Sequence, residues 1–152
     1  MDWINIKSIF YGAICLVSAT VSALFGGLDM IFVSLMIFMA VDYITGLIVA
    51  GVFHKSGKSE TGSLESHAGW KGICRKGVSL LMVLVAARLD IMLGTTFIRD
   101  GVVMAYIANE ALSIIENAGL MGIPVPEPVR NAVEALRSKG SDGKNDKSSD
   151  NG

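Results

Sequence analysis

Few residues in this chain have the types and spacing to do chemistry, and those few sit inside long apolar stretches. Asp42 lies in the middle of one such stretch, Arg88 and Asp90 lie in another, and Asn109, Glu110 and Ser113 lie in a third. A lone carboxylate or guanidinium at the centre of a bilayer costs roughly 2.5 to 3.5 kcal/mol on insertion scales, so such groups turn toward other helices or water and take partners. Asp42 and Arg88 fall near the middles of their stretches, which makes an Asp42–Arg88 pair an economical expectation. Asp90 is two residues from Arg88 and faces elsewhere on a helix. Tyr106, Asn109, Glu110, Ser113, Glu116 and Asn117 gather on one side at helical spacing, opposite Val103, Ile107 and Leu112. That face could line a water-filled lesion, lie at the membrane interface, or be satisfied inside a bundle.

Catalytic arrangements are not evident. There is no HExxH helix, no GxSxG elbow and no phosphate-binding glycine loop. Gly69-Trp70-Lys71-Gly72 has two glycines, but neither the preceding strand nor the following Lys-Ser/Thr of a P-loop. His54 and His67 share one polar connector, and Cys15 and Cys74 have no metal-like spacing, which argues against a metal site or a disulfide framework. The reading is therefore no enzyme, no metal and no cofactor.

The composition explains where these polar groups reside. Of 152 residues, 51% are hydrophobic and 18% charged, below the roughly 25% usual for soluble domains, with a mean hydropathy of +0.52. Between Ser8 and Phe53 the charged residues are Asp29 and Asp42 alone. The net charge of -1 averages an apolar part and a charged tail, and it offers no case for a nucleic-acid partner.

A hydrocarbon core of about 30 Å needs roughly 20 apolar residues in a helix. The runs 8–28 and 30–53 meet that length, and Gly26-Gly27-Leu28-Asp29 between them forces a hairpin. The N-terminal run continues past Ser18-Ala19-Thr20 without a cleavage pattern and reads as a retained span. Residues 54–76 form a connector with Lys55, Lys58, Lys71, Arg75 and Lys76 against Glu60 and Glu65. Its basic excess predicts that this loop and the N-terminus are cytoplasmic. A third span is expected over 77–97 and a fourth over 101–118, where the fifteen apolar-rich residues Gly101 to Ile115 are marginal in length. Four spans would return the C-terminus to the cytoplasm, and three would leave it outside. Pro124, Pro126 and Pro128 end the helical domain at residue 126. Val129, Ala132, Val133 and Leu136 then predict a short amphipathic helix over 127–137, followed by a disordered hydrophilic tail over 138–152. The fold class expected is an all-α integral membrane protein with three to four transmembrane helices.

The first span also carries small residues every four positions: Ser18, Ser22 and Gly26, with Ala19, Ala23 and Gly27 beside them. Such a stripe lets a helix approach closely, either within one subunit or between subunits.

Three stretches taken together resemble a known family. They are Asp42-Tyr43-Ile44-Thr45-Gly46-Leu47, then Gly69-Trp70-Lys71-Gly72 with Arg75-Lys76-Gly77, and then Glu116-Asn117-Ala118-Gly119-Leu120-Met121-Gly122-Ile123-Pro124-Val125-Pro126. Their order resembles the toxin-secretion/phage-lysis holin family, over about residues 9 to 136. The resemblance implies a multi-pass protein of the bacterial cytoplasmic membrane that forms homo-oligomers and opens lesions. Those lesions would release an endolysin in phage lysis, or a protein toxin, without direct binding to either. It implies no cofactor and no catalytic residue. Two other functions fit the same physics: a small ion or solute channel or transporter using Asp42, Arg88 and Glu110, and a membrane scaffold recruiting a partner through its basic loop and tail.

Overall fold

A computed structural model describes residues 3–54 and 66–142. Of these, 88% are helical, and no strand occurs among the described residues. Helix α1 spans Trp3–Phe25 and α2 spans Met30–Ile48, continuing through a π-helical turn at Val49–Phe53. Helix α3 spans Ser66–Leu93, α4 Ile98–Leu120 and α5 Glu127–Asp142.

The turn between α1 and α2 follows from its residues. Gly26 takes φ +76, and the Gly27 amide donates to the Ser22 carbonyl at 2.8 Å, closing the last turn of α1. Asp29 then caps α2 by accepting from the Phe32 amide at 3.0 Å. The same backbone closure recurs after α3, from the Thr95 amide to the Asp90 carbonyl, and after α4, from the Ile123 amide to the Ala118 carbonyl.

Phe32, Leu35 and Met39 recur at spacings of three and four on α2 and meet Val83 of α3 with Val103 and Ile107 of α4. Helix α4 is central, packing on α2, α3 and α5, while α5 folds back through buried Val133 and half-buried Leu136. Helix α1 packs mainly on α3, and near its C-terminal end Phe25 stacks against Phe32 of α2 with ring centroids 4.9 Å apart. Its length is otherwise clad in exposed apolar side chains, including Ile9, Phe10, Leu16 and Val17. Each such side chain would be worth about 1.5–3 kcal/mol if removed from water. Meanwhile Asp42, Asp90, Arg99, Glu110 and Asn117 are buried. Charge inside and hydrocarbon outside is the distribution that a lipid solvent selects. Two helical stretches, Asn5–Phe25 and Met30–Phe53, are long and apolar enough to cross a membrane.

Several boundaries differ from expectation. Helix α1 begins at Trp3, ahead of residue 8. The basic connector is helical from Ser66, so Gly69-Trp70-Lys71-Gly72 and Arg75-Lys76-Gly77 belong to α3; residues 55–65 lie outside the described residues. The third helix accordingly ends at Leu93 instead of 97. Helix α4 has 23 residues, about 35 Å at 1.5 Å per residue, and so extends beyond the fifteen apolar-rich residues Gly101 to Ile115. Its polar residues interrupt the hydropathy without interrupting the helix. The amphipathic helix reaches Asp142 rather than 137, and 143–152 of the expected disordered tail lies outside the described residues.

Candidate functional site

The three motif stretches converge on one polar cluster between α2, α3 and α4. Lys76 of α3 donates to the Asp42 carboxylate of α2 at 2.8 Å and also to the Glu110 carboxylate of α4. The Asn117 amide donates to Asp42 Oδ1 at 3.1 Å and to the Thr45 hydroxyl at 2.9 Å. The side chains of Asp42 and Glu110 are each 9% exposed, and that of Lys76 is 18% exposed. Gly46 and Gly69 lie along this approach: a Cβ on Gly46 would lie 3.8 Å from the Asn117 amide nitrogen, and one on Gly69 3.8 Å from the Tyr43 hydroxyl, both ordinary contacts. The Asp42-Tyr43-Ile44-Thr45-Gly46 run thus meets Gly69 and Lys76 of the second motif and Asn117 of the third.

Beside the cluster lies a polar cavity of about 290 Å³, whose lining includes Asp42, Arg75, Lys76, Asn109, Glu110, Ser113 and Glu116. The polar face read on α4 therefore splits in two. Asn109, Glu110, Ser113 and Glu116 turn to the cavity, whereas Tyr106 packs against the apolar core. The cavity has room and polar partners for water. Two carboxylates of this lining, Asp42 and Glu110, share the Lys76 ammonium.

A second constellation closes the other end of the bundle. The Arg99 guanidinium grips Asp29 through two bonds of 2.6 and 2.9 Å, and donates to the Gly27 carbonyl and to Asp100 at 3.1 Å each. The fork matches the carboxylate geometry, and it ties the α1–α2 turn to the start of α4. The Arg99 bond holds the Asp29 carboxyl below the usual aspartate range. Asp90 caps α4 by accepting from the amides of Ile98 at 3.1 Å and Arg99 at 2.9 Å, and it also accepts from the Thr95 hydroxyl.

The expected Asp42–Arg88 pair does not form. Arg88 donates to the carbonyls of Ala23, at 2.7 Å, and Leu24, capping the C-terminal end of α1. Because α3 starts at Ser66, Arg88 is near its far end, twelve residues or about 18 Å beyond Lys76, the residue that is level with Asp42. Sequence reasoning missed Lys76 and Arg99. Lys76 shares a face with buried Val83 and Asp90 at seven-residue intervals, a signal hidden by its assignment to a loop. Of the small-residue stripe, Ser22 and Gly27 are half-buried and Gly26 approaches Arg99 and Ala87, whereas Ser18, Ala19 and Ala23 are exposed. No group of three or more His, Cys, Asp or Glu suited to a metal ion occurs among the described residues.

The chain is similar in sequence to several known proteins. An uncharacterized protein of Listeria innocua, Lin0175, is 38% identical over 120 residues, covering 78% of this chain and 80% of that protein. A 14.9 kDa protein from the nagH 3′ region of Clostridium perfringens is 38% identical over 118 residues, 76% of this chain and 83% of its own length. A probable holin of Bacillus phage phi105 is 33% identical over 99 residues, 64% of this chain and 67% of that protein. No solved structure matches. The model of the bacteriophage holin family matches residues 19–138, which include all of α2, α3 and α4, and the chain belongs to that family.

Proposed function

We propose that the protein oligomerises in the bacterial cytoplasmic membrane and opens lesions through which an endolysin reaches the cell wall. The observation that carries this reading is the polar cavity beside the Asp42–Lys76–Glu110 cluster, set in helices whose outer surfaces are apolar. Subunits that rearrange to share this lining would surround water with Asn109, Glu110, Ser113 and Glu116. The likeness to a probable phage holin supports endolysin as the cargo; release of a protein toxin is the other outcome that the family resemblance allows.

In this reading α1 to α4 all cross the bilayer. At about 42 Å and 35 Å, α3 and α4 are long enough, and their charged side chains pair with each other or with backbone, or face the cavity or a helix end. Trp3 and Lys7 begin α1, and Trp70, Lys71 and Arg75 begin α3. Aromatic rings favour the interface and cations favour the cytoplasmic side, which supports a cytoplasmic N-terminus, an external Asp29–Arg99 end and a cytoplasmic α5.

Inducible expression in a bacterium, with and without an endolysin, tests the proposal. It expects delayed, abrupt loss of membrane potential, followed by lysis only when the endolysin is present. Unimpaired growth at high membrane levels of the protein overturns it. Graded, solute-selective flux would instead support a channel, a reading favoured by the ion cluster at the cavity.

A further inference from the structure

The first turns of α3 carry a surface that the turn-end clamp leaves unused and that meets the polar cavity only at Arg75 and Ser79. Lys71 and Arg75 lie four residues apart on one helix face, both exposed, with no carboxylate among the described residues in ion-pair contact with either. Two like charges at this spacing repel and destabilise a helix unless an anion lies between them. The next face is apolar. Trp70 is 65% exposed, and Cys74, Val78, Leu81 and Val85 continue its stripe along the helix, all exposed. Trp70, Lys71, Cys74, Arg75 and Val78 together line an open groove of about 460 Å³ whose walls are mostly apolar. Two cations without an ion-pair partner among the described residues, at the head of an apolar groove with a tryptophan at the junction, match the two halves of one amphiphile.

We propose that this surface binds an anionic phospholipid of the cytoplasmic leaflet. Lys71 and Arg75 hold the headgroup phosphate, and one acyl chain lies along Trp70, Cys74 and Val78. Charge complementarity sets the occupant. A zwitterionic lipid brings its own ammonium to the phosphate and would face two further cations, whereas an anionic lipid neutralises them. A soluble phosphate compound would leave the groove beneath the cations exposed. The inference rests on α3 crossing the membrane as proposed above, and not on lesion formation.

The test uses the full chain with Trp3→Phe, which leaves Trp70 as the single tryptophan. The protein is reconstituted in phosphatidylcholine vesicles containing a small, fixed fraction of brominated lipid, either phosphatidylglycerol or phosphatidylcholine. Brominated phosphatidylglycerol should quench Trp70 more strongly, and Lys71→Gln with Arg75→Gln should abolish the difference. Each cation contributes about a fivefold local enrichment of anionic lipid, from the roughly 1 kcal/mol per basic residue near such headgroups. Arg130→Gln, on α5, should leave the preference intact. A chain with Trp70→Phe, reporting from Trp3 beside the single cation Lys7, should show a smaller preference. Equal quenching by both lipids at Trp70, or an equal preference at Trp3 and Trp70, overturns the lipid site while leaving α3 in the membrane. No quenching by either lipid overturns both the site and the spanning assignment of α3.

Discussion

The bundle holds two sets of buried or half-buried ion pairs built from the same side-chain types, and they differ in where their charges can go. At the turn end, Arg99 is 8% exposed but its partner Asp29 is 47% exposed, so water can take over one side of the pair. Most groups there also serve backbone: Asp29 caps α2, Asp90 caps α4, Arg88 caps α1 and Arg99 holds the Gly27 carbonyl. In the cluster beside the cavity, Lys76, Asp42 and Glu110 serve one another across three helices, with Asn117 completing the set. The clamp thus sets how helices enter and leave their turns. The inner cluster sets which helices stand side by side, and its carboxylates are each 9% exposed, so water replaces a missing member less readily than at Asp29.

The sharpest way to break this comparison is Lys76→Met. It leaves two carboxylates facing each other without their cation, and loss of one member of a buried ion pair costs about 3–5 kcal/mol. Thermal unfolding in detergent, followed by circular dichroism, should show a large drop in Tm. Adding Asp42→Asn and Glu110→Gln should restore most of it, because the charges are then removed together. A Lys76→Met chain that melts like the parent would make the inner cluster no more demanding than the clamp.

Asn117→Leu is the next largest. It strips a donor from the buried Asp42 carboxylate and from Thr45, worth about 1–3 kcal/mol in the same assay. Gly26→Ala follows at about 1–2 kcal/mol, because the position requires a left-handed backbone at φ +76. Its new Cβ would lie 3.5 Å from Arg99 Cδ, an ordinary contact, so the cost is conformational.

Asp29→Asn should have the smallest effect, up to about 1 kcal/mol, because the carboxylate is half-exposed. It has a pH signature instead. The folded-state pKa of Asp29 lies below that of the unfolded chain. Its contribution is therefore complete above the ordinary aspartate value of about 3.9, and is lost as pH falls through the lower folded value. Tm measured from neutral pH downward should fall less steeply in acid for Asp29→Asn than for the parent. Parallel curves would show that the clamp carries no charge-dependent stability.

Much of this organisation is local and therefore legible in residue order. Length and hydropathy mark the first two helices, Gly26-Gly27 with Asp29 marks the hairpin, and the prolines mark the end of α4. The polar face of α4 was legible as well, since Asn109, Glu110 and Ser113 recur at helical spacing and do line the cavity. The start of α3 was not, because Gly69, Gly72 and the basic residues carry the composition of a loop. That error moved the expected middle of the helix and put Arg88 level with Asp42.

What the amino-acid order determined by itself is the solvent: apolar runs of these lengths with so few charges require lipid around them. Which charges meet inside was decided only by tertiary structure. Partner choice across helices depends on the relative sliding of α2, α3 and α4, and one helical turn shifts every side chain by about 5.4 Å. Packing of Phe32, Leu35 and Met39 against Val83, Val103 and Ile107 accompanies the sliding that brings Lys76, rather than Arg88, to Asp42. No single stretch of sequence contains that information, because it belongs to the contacts between stretches.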